Sequence, residues 1–449
     1  MKKCFHLLLL FLILLLHPAP DATGLDVASV PLSIEGSFQF RSSLAGGADL
    51  NATYQYDETW FLNSSIDYQH DLARMSLRLA MAAFGCTNTQ DFADIHYLSE
   101  EYPHAASGNI ATLLRELRFQ NIHIDYPVPE ENTIGYAIGS KNIRTVSGER
   151  FSLVCVAVRG GGYYSEWAGN FHLGTEQDHA GFSAASSRLL SGIQDYLTKY
   201  EADLDDNLKL WLTGYSRAGA VVNLCARSLD DGVLEKYVSA PENLFAFCFE
   251  CPAVTTDKSR NDPCYDNLVS IVNPADLIPQ LPISIWGYGR YGRTFVFPSI
   301  EQGALRFNAL NAAMHTRYDA LLADTPIGSA AGLLPSALFQ RMLLDTGLST
   351  VGAFLPSQQT YVERMEARAM EAGLQIFGTP ENSNEESGSY GVTADAALLR
   401  SLLNALGIPE MLPSQLPLSA AVSDQLCRMI VLGHYAELCL AWMDTLGEI

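Results

Sequence analysis

The sequence predicts an α/β fold with a mostly parallel sheet, extended by helical segments before and within it. Three observations predict this. Short apolar runs recur from about residue 133, and several are apolar at every position, the pattern of parallel strands covered on both faces. Helical stretches separate them, near 180–199 and 217–229. One junction, Leu212-Thr-Gly-Tyr-Ser-Arg-Ala-Gly-Ala220, runs from strand to helix through small residues.

The elements follow in order. Residues 25–60 are polar with short alternating runs such as Ser37-Phe-Gln-Phe-Arg41. Leu72, Met75, Leu79 and Ala83 recur at helical spacing, and 110–117 reads as a second helix. The strand candidates are 135–139, 153–158, 208–213, 244–249 and 268–272. Beyond Pro298 the texture is helical, over 305–323, 334–345, 358–375, 395–405 and 418–431, with an exposed loop at 378–389. The expected organisation is a signal peptide at 1–24, an N-terminal helical extension at 25–132 and a core at 133–300. A helical insertion at 301–425, a candidate lid or cap, and a closing helix within 426–449 follow.

Composition bounds the function. The chain has 449 residues and a net charge of −22, from 28 Lys plus Arg against 50 Asp plus Glu. That length suggests roughly two or three domains, or one domain with insertions. A chain of this size buries about three quarters of its unfolded surface, so its core needs no disulfides. The acidic balance argues against nucleic-acid partners, which require basic surface, and against docking on anionic membranes. Lys2 and Lys3, an apolar run over 8–16 and small residues up to Gly24 have the layout of a secretory signal; an uncleaved anchor is the alternative. Eight of the nine cysteines lie beyond it. Cys155, Cys225 and Cys248 sit in apolar runs and read as buried thiols. Cys248-Phe-Glu-Cys251 matches CxxC but opens no helix and has no second ligand pair.

The chemistry centres on Gly214-x-Ser216-x-Ala218-Gly219. A nucleophile at a strand-to-helix turn needs small neighbours, because the chain reverses sharply under the serine. Taken alone, the pattern also suits an ordinary turn capped by a serine. Upstream lie Arg159-Gly-Gly-Gly162, Trp167, Asn170 and His179-Ala-Gly-Phe182. Downstream lie Phe249-Glu-Cys-Pro252 and Asn273-Pro-Ala-Asp-Leu-Ile-Pro-Gln-Leu-Pro282. Gly287-Tyr-Gly-Arg-Tyr-Gly292 fits GxGxxG, but a strand-like run at 294–297 follows it, so it reads as a loop between strands rather than a dinucleotide site.

This ordered series resembles the class 3, fungal-type lipases, which have an α/β-hydrolase fold; it covers about 153–297 well. The resemblance implies Ser216 as nucleophile and Asp276 as the acid that orients a histidine. It implies the backbone N–H groups of Gly161 and Arg217 as the oxyanion hole. His179 falls on a structural position of the family, and Arg159, Trp167 and Asn170 read as structural anchors. The sequence departs from the family at Ala218, Gly161 and Glu250, where Gly, Ser or Thr, and Gly are usual. The base must follow Asp276 if the order Ser, Asp, His holds, which leaves His315 and His434. His315 lies inside a continuous helical pattern. His434 precedes the last helix, where the family places its base, and is the preferred candidate.

The expected activity is hydrolysis of carboxylic esters, acylglycerols or other lipid esters, by an exported serine hydrolase, with no metal or cofactor. The expected partners are a lipid or small ester substrate and a transient contact with a lipid interface; oligomeric state stays open. Two other readings stay open: a catalytically silent binding protein on the same fold, and thioester cleavage or acyl transfer by the same residues.

Overall fold

The computed structural model describes residues 32–42, 44, 48–84, 108–127, 131–145, 147–160, 166–238, 240–325, 337–377 and 431–447. The expected signal segment 1–24, Gly161, the loop 378–389, the helix at 395–405 and nearly all of that at 418–431 lie outside them.

Two extended strands, β1 (Ser33–Ser42) and β2 (Ala48–Asp57), form an antiparallel hairpin. The helices α1 (His70–Ala82) and α2 (Gly108–Glu116) follow. The main sheet then runs in sequence order through β3 (Gln120–Asp125), β4 (Tyr136–Arg144), β5 (Arg150–Val158), β6 (Leu208–Tyr215), β7 (Leu244–Phe249), β8 (Leu268–Val272) and β9 (Arg293–Val296). The β3–β4 and β4–β5 pairs are antiparallel; every pair from β5 to β9 is parallel. Between β5 and β6 lie a short α3 (Trp167–Phe171) and the long α4 (Ala180–Lys199); α5 (Arg217–Asp230) joins β6 to β7. Then come α6 (Ala304–Leu322), α7 (Ala337–Phe354), α8 (Gln358–Arg364), α9 (Glu366–Phe377) and the closing α10 (Ala436–Leu446).

The apolar runs work as a two-sided sheet. Side chains alternate across a strand. Thus Val154, Val156, Leu210, Leu212 and Ala246 face α4 and α5. Leu153, Cys155, Trp211, Phe245 and Phe247 face α1, α2, the hairpin, α6 and α10. The buried polar side chains of β6 are satisfied. Trp211 Nε1 donates to Ser76 Oγ at 2.8 Å, and Thr213 Oγ1 to the Ser76 carbonyl at 2.9 Å. Cys155, Cys225 and Cys248 are buried free thiols.

The N-terminal stretch differs from the sequence reading. The stretch 25–132 is not a helical extension alone: it holds the hairpin and contributes β3, the edge strand of the main sheet. The alternation around Phe38 and Phe40 is what builds the hairpin, since both rings fall on one face and enter the core. The described residues of 301–325 and 337–377 cover two different surfaces. In α6, Phe307, Leu310, Met314, Tyr318 and Leu322 form one buried stripe that joins the core around Trp442 of α10. Helices α7 to α9 form a separate small cluster, in which Leu355, Tyr361, Met365 and Ala369 pack with Leu173. The glycine-rich 287–292 loop leads into β9 and not into a helix.

Candidate active site

β6 ends at Tyr215, and Ser216 turns the chain into α5 with φ 59° and ψ −128°. This is a strained conformation for a residue with a side chain. The surroundings enforce it by tight packing. A Cβ on Gly214 would lie 2.5 Å from the Ala218 carbonyl oxygen, and one on Gly160 only 2.3 Å from that of Tyr215. The Ser216 N–H donates to the Phe249 carbonyl at 2.8 Å, tying the turn to the end of β7. Ser216 is half-buried, with its hydroxyl above the strand ends.

Asp276 lies just past β8 and is fully buried. Asn273 builds its loop: its Oδ1 accepts the Ala275 N–H at 3.0 Å, and its carbonyl accepts the Asp276 N–H at 3.1 Å. Asp276 Oδ1 accepts the Ile278 N–H at 2.9 Å. Asn273 Nδ2 also donates to the Gly433 carbonyl at 3.2 Å, which holds the 431–434 turn against this loop. Gly433 permits the approach, since a Cβ there would meet the Ala275 carbonyl oxygen at 2.8 Å.

His434 follows that turn and bridges the other two residues. Its Nδ1 is 2.6 Å from Asp276 Oδ2 and its Nε2 is 2.7 Å from Ser216 Oγ. With a carboxylate at Nδ1, the proton sits there and Nε2 is free to accept from the serine hydroxyl. Tyr215 fixes the histidine backbone by donating from its hydroxyl to the His434 carbonyl at 2.9 Å. The other late histidine, His315, sits on α6 beside the buried Met314 and takes no part in these bonds.

The structure therefore brings Ser216, Asp276 and His434 together. It places Arg217 at the first position of α5, where its N–H is an unsatisfied helix-end donor next to the serine. Gly161 falls outside the described residues, but its neighbour Gly160 is packed against the turn. The Arg217 side chain has a second use that the sequence did not announce. It is buried and donates to Asn170 Oδ1 at 3.2 Å and to the carbonyls of Glu131 and Thr133, both at 3.1 Å. Beside it lies the buried Arg159–Glu166 ion pair, whose carboxylate also accepts from Thr133 Oγ1 at 3.1 Å. His179 caps α4: Nδ1 accepts the Phe182 N–H at 3.4 Å and Nε2 donates to the Asn170 carbonyl at 3.2 Å. Burial pushes its pKa down to about 3, as suits a neutral structural histidine.

The sequence reading also missed Tyr215, Asn273 and Gly433, which hold the site from behind. Glu250 it marked only as a departure from a glycine. That residue has φ 43°, so the glycine-preferring turn is kept and a carboxyl is buried in it.

A hydroxyl, an imidazole and a carboxylate in this series, above the ends of parallel strands, have the arrangement of a serine hydrolase. Residues 156–285 match the family model described as Lipase (class 3). No curated protein matches the chain in sequence. Among solved structures it is similar to the Rhizomucor miehei lipase propeptide complex, at 18% identity over 48% of this chain and 70% of that one, with a TM-score of 0.29. It is also similar to a fungal lipase in an inhibitor complex, at 16% identity over 53% and 83% of the two chains, with a TM-score of 0.36. A mutant form of MDLA from Penicillium cyclopium gives 17% identity over 52% and 82%, with a TM-score of 0.36.

Proposed function

We propose that the chain is an exported lipid-ester hydrolase in which Ser216, His434 and Asp276 act as a catalytic triad through an acyl-enzyme. The observation that carries this reading is the continuous hydrogen-bonded series from Ser216 Oγ through the His434 ring to Asp276, at 2.7 and 2.6 Å. In the first step His434 Nε2 takes the hydroxyl proton while Ser216 Oγ adds to the ester carbonyl. The oxyanion that forms is held by the N–H groups of Arg217 and Gly161. As the tetrahedral species collapses, His434 returns the proton to the departing alcohol. Water then attacks the acyl-enzyme by the same route, with His434 as base and Ser216 as leaving group. Asp276 keeps the proton on Nδ1 and stabilises the imidazolium.

Helices α7 to α9 are proposed to shape the acyl-binding side. They attach to the loops that carry the site: Arg341 Nη1 donates to the Pro274 carbonyl at 3.1 Å, Trp286 Nε1 to that of Leu355 at 2.7 Å, and Tyr361 Oη to that of Phe171 at 3.0 Å. The residues at 1–24 support export, and no helix among the described residues is long and apolar enough to cross a membrane. The test is hydrolysis of p-nitrophenyl esters from short to long acyl chains. Ser216→Ala should lower kcat by about a million-fold, as expected when a triad nucleophile is removed. A variant that keeps wild-type turnover contradicts the proposal.

A further inference from the structure

Glu250 occupies a costly position. It directly follows β7, is fully buried and holds a positive φ that glycine would adopt without strain. Its side chain turns to the back of the triad. Oε2 accepts the Asn273 N–H at 2.8 Å, from the residue that fixes both the Asp276 loop and Gly433. Oε1 is buried and makes no hydrogen bond of ordinary geometry. The carboxyl lies against that of Asp276 and against the Cys439 thiol. An ionised carboxylate has only acceptors and would leave Oε1 with at best the weak Cys439 S–H donor, beside a second negative charge. A protonated one has a donor, and the acceptor facing it is Asp276.

We infer that Glu250 is a positioning residue: protonated at Oε1, it donates a hydrogen bond to the Asp276 carboxylate and so sets the charge that Asp276 presents to His434. The inference rests on the triad reading above. Two carboxyls in contact in a dry site do not both ionise. Asp276 receives the Ile278 N–H and the His434 Nδ1–H, so it is the member that carries the charge. Burial first, and then the Asp276 charge, push the Glu250 carboxyl well above the usual carboxylate range, against the opposing pulls of the Asn273 N–H and the Cys439 thiol. The other titratable groups facing it are Cys439 on α10 and Tyr215 on β6. Burial pushes both upward, so they stay neutral and add no charge to the pair.

The sign of the effect is testable. The acid limb of kcat/KM reports deprotonation of the base. A hydrogen bond into Asp276 draws off part of its charge and weakens its hold on the imidazolium. Removing that donor therefore moves the limb to higher pH, whereas removing an ionised Glu250 would move it to lower pH. Wild type, Glu250→Gln, Glu250→Leu and Glu250→Gly are compared by kcat/KM against pH with a soluble ester, and by infrared spectroscopy at neutral pH. The expected result is a protonated-carboxyl C=O band in wild type that Glu250→Gln lacks, with an unmoved acid limb in that variant because its amide still donates. Glu250→Leu and Glu250→Gly should shift the limb upward by about half to one pH unit, the size of a single lost hydrogen bond. The glycine variant suits the positive φ and keeps the comparison available if the leucine variant folds poorly. Absence of the band, a downward shift in the variants, or four coincident profiles would overturn the inference. A wild type without ester hydrolysis would instead sink the triad reading, and the infrared band would still decide whether Glu250 is protonated.

Discussion

Two histidines follow Asp276 in the chain, His315 inside a helical pattern and His434 just before the last helix. Only His434 reaches the serine and the acid; His315 sits on α6, whose buried stripe serves the core. Replacing each with alanine should separate them. His434→Ala is expected to lose roughly 10⁴-fold or more in kcat, as for a triad base, while His315→Ala keeps turnover near wild type. Loss of activity in His315→Ala alone would overturn the assignment. The candidates Ser216, Asp276 and His434 each lie at a junction with its own sequence pattern: a small-residue turn, the end of an apolar run, the start of the last helix. Glu250 was not legible as a partner of Asp276. Its meaning depends on a contact between the ends of neighbouring strands, and residue spacing carries no such information.

At the scale of elements, strands buried on both faces declared themselves by continuous apolarity. The runs 244–249 and 268–272 match β7 and β8 residue for residue. The hairpin and β3 did not, because their burial alternates or is partial and polar side chains interrupt the pattern. The hairpin is also tied down by a contact between distant segments. Glu58, in the short turn after β2, pairs with Lys141 of β4 at 2.7 Å and accepts the Leu32 N–H at 2.8 Å. Burial pushes the Lys141 ammonium down to about 8, against the opposing pull of Glu58. Removing one partner of such a pair leaves a buried charge uncompensated. Glu58→Gln should therefore cost about 3–5 kcal/mol in urea unfolding, and Glu58→Gln with Lys141→Met should recover part of it. The folded pKa of Lys141 lies below its ordinary value, so the cost of burying its charge is present below about pH 8 and is relieved as pH rises through that value. The deficit of the single variant should narrow over the same range; a deficit independent of pH would show that the lysine charge is not its cause.

At the scale of the molecule, the length of 449 residues resolves into a sheet whose two faces are covered by different parts of the chain, plus a helical cluster at the rim of the site. Within 301–425, helical texture alone does not say which surface each described helix covers. The stripe on α6 meets Trp442, while α7 to α9 meet loops at 171–174, 274 and 286. If α7 to α9 shape the acyl side, Tyr361→Ala, which empties the centre of that cluster, should change the ratio of long-chain to short-chain ester turnover. It should leave reaction with a small phosphonylating agent nearly unchanged. Equal losses on all esters would assign the cluster to stability alone. The central claim is that Ser216 is a nucleophile activated by His434 and Asp276, and its most direct measurement is covalent labelling by a fluorophosphonate, mapped by peptide mass spectrometry. The account predicts one adduct on Ser216, absent in Ser216→Ala and formed far more slowly in His434→Ala. An unlabelled wild type, or an adduct on another residue, would contradict it.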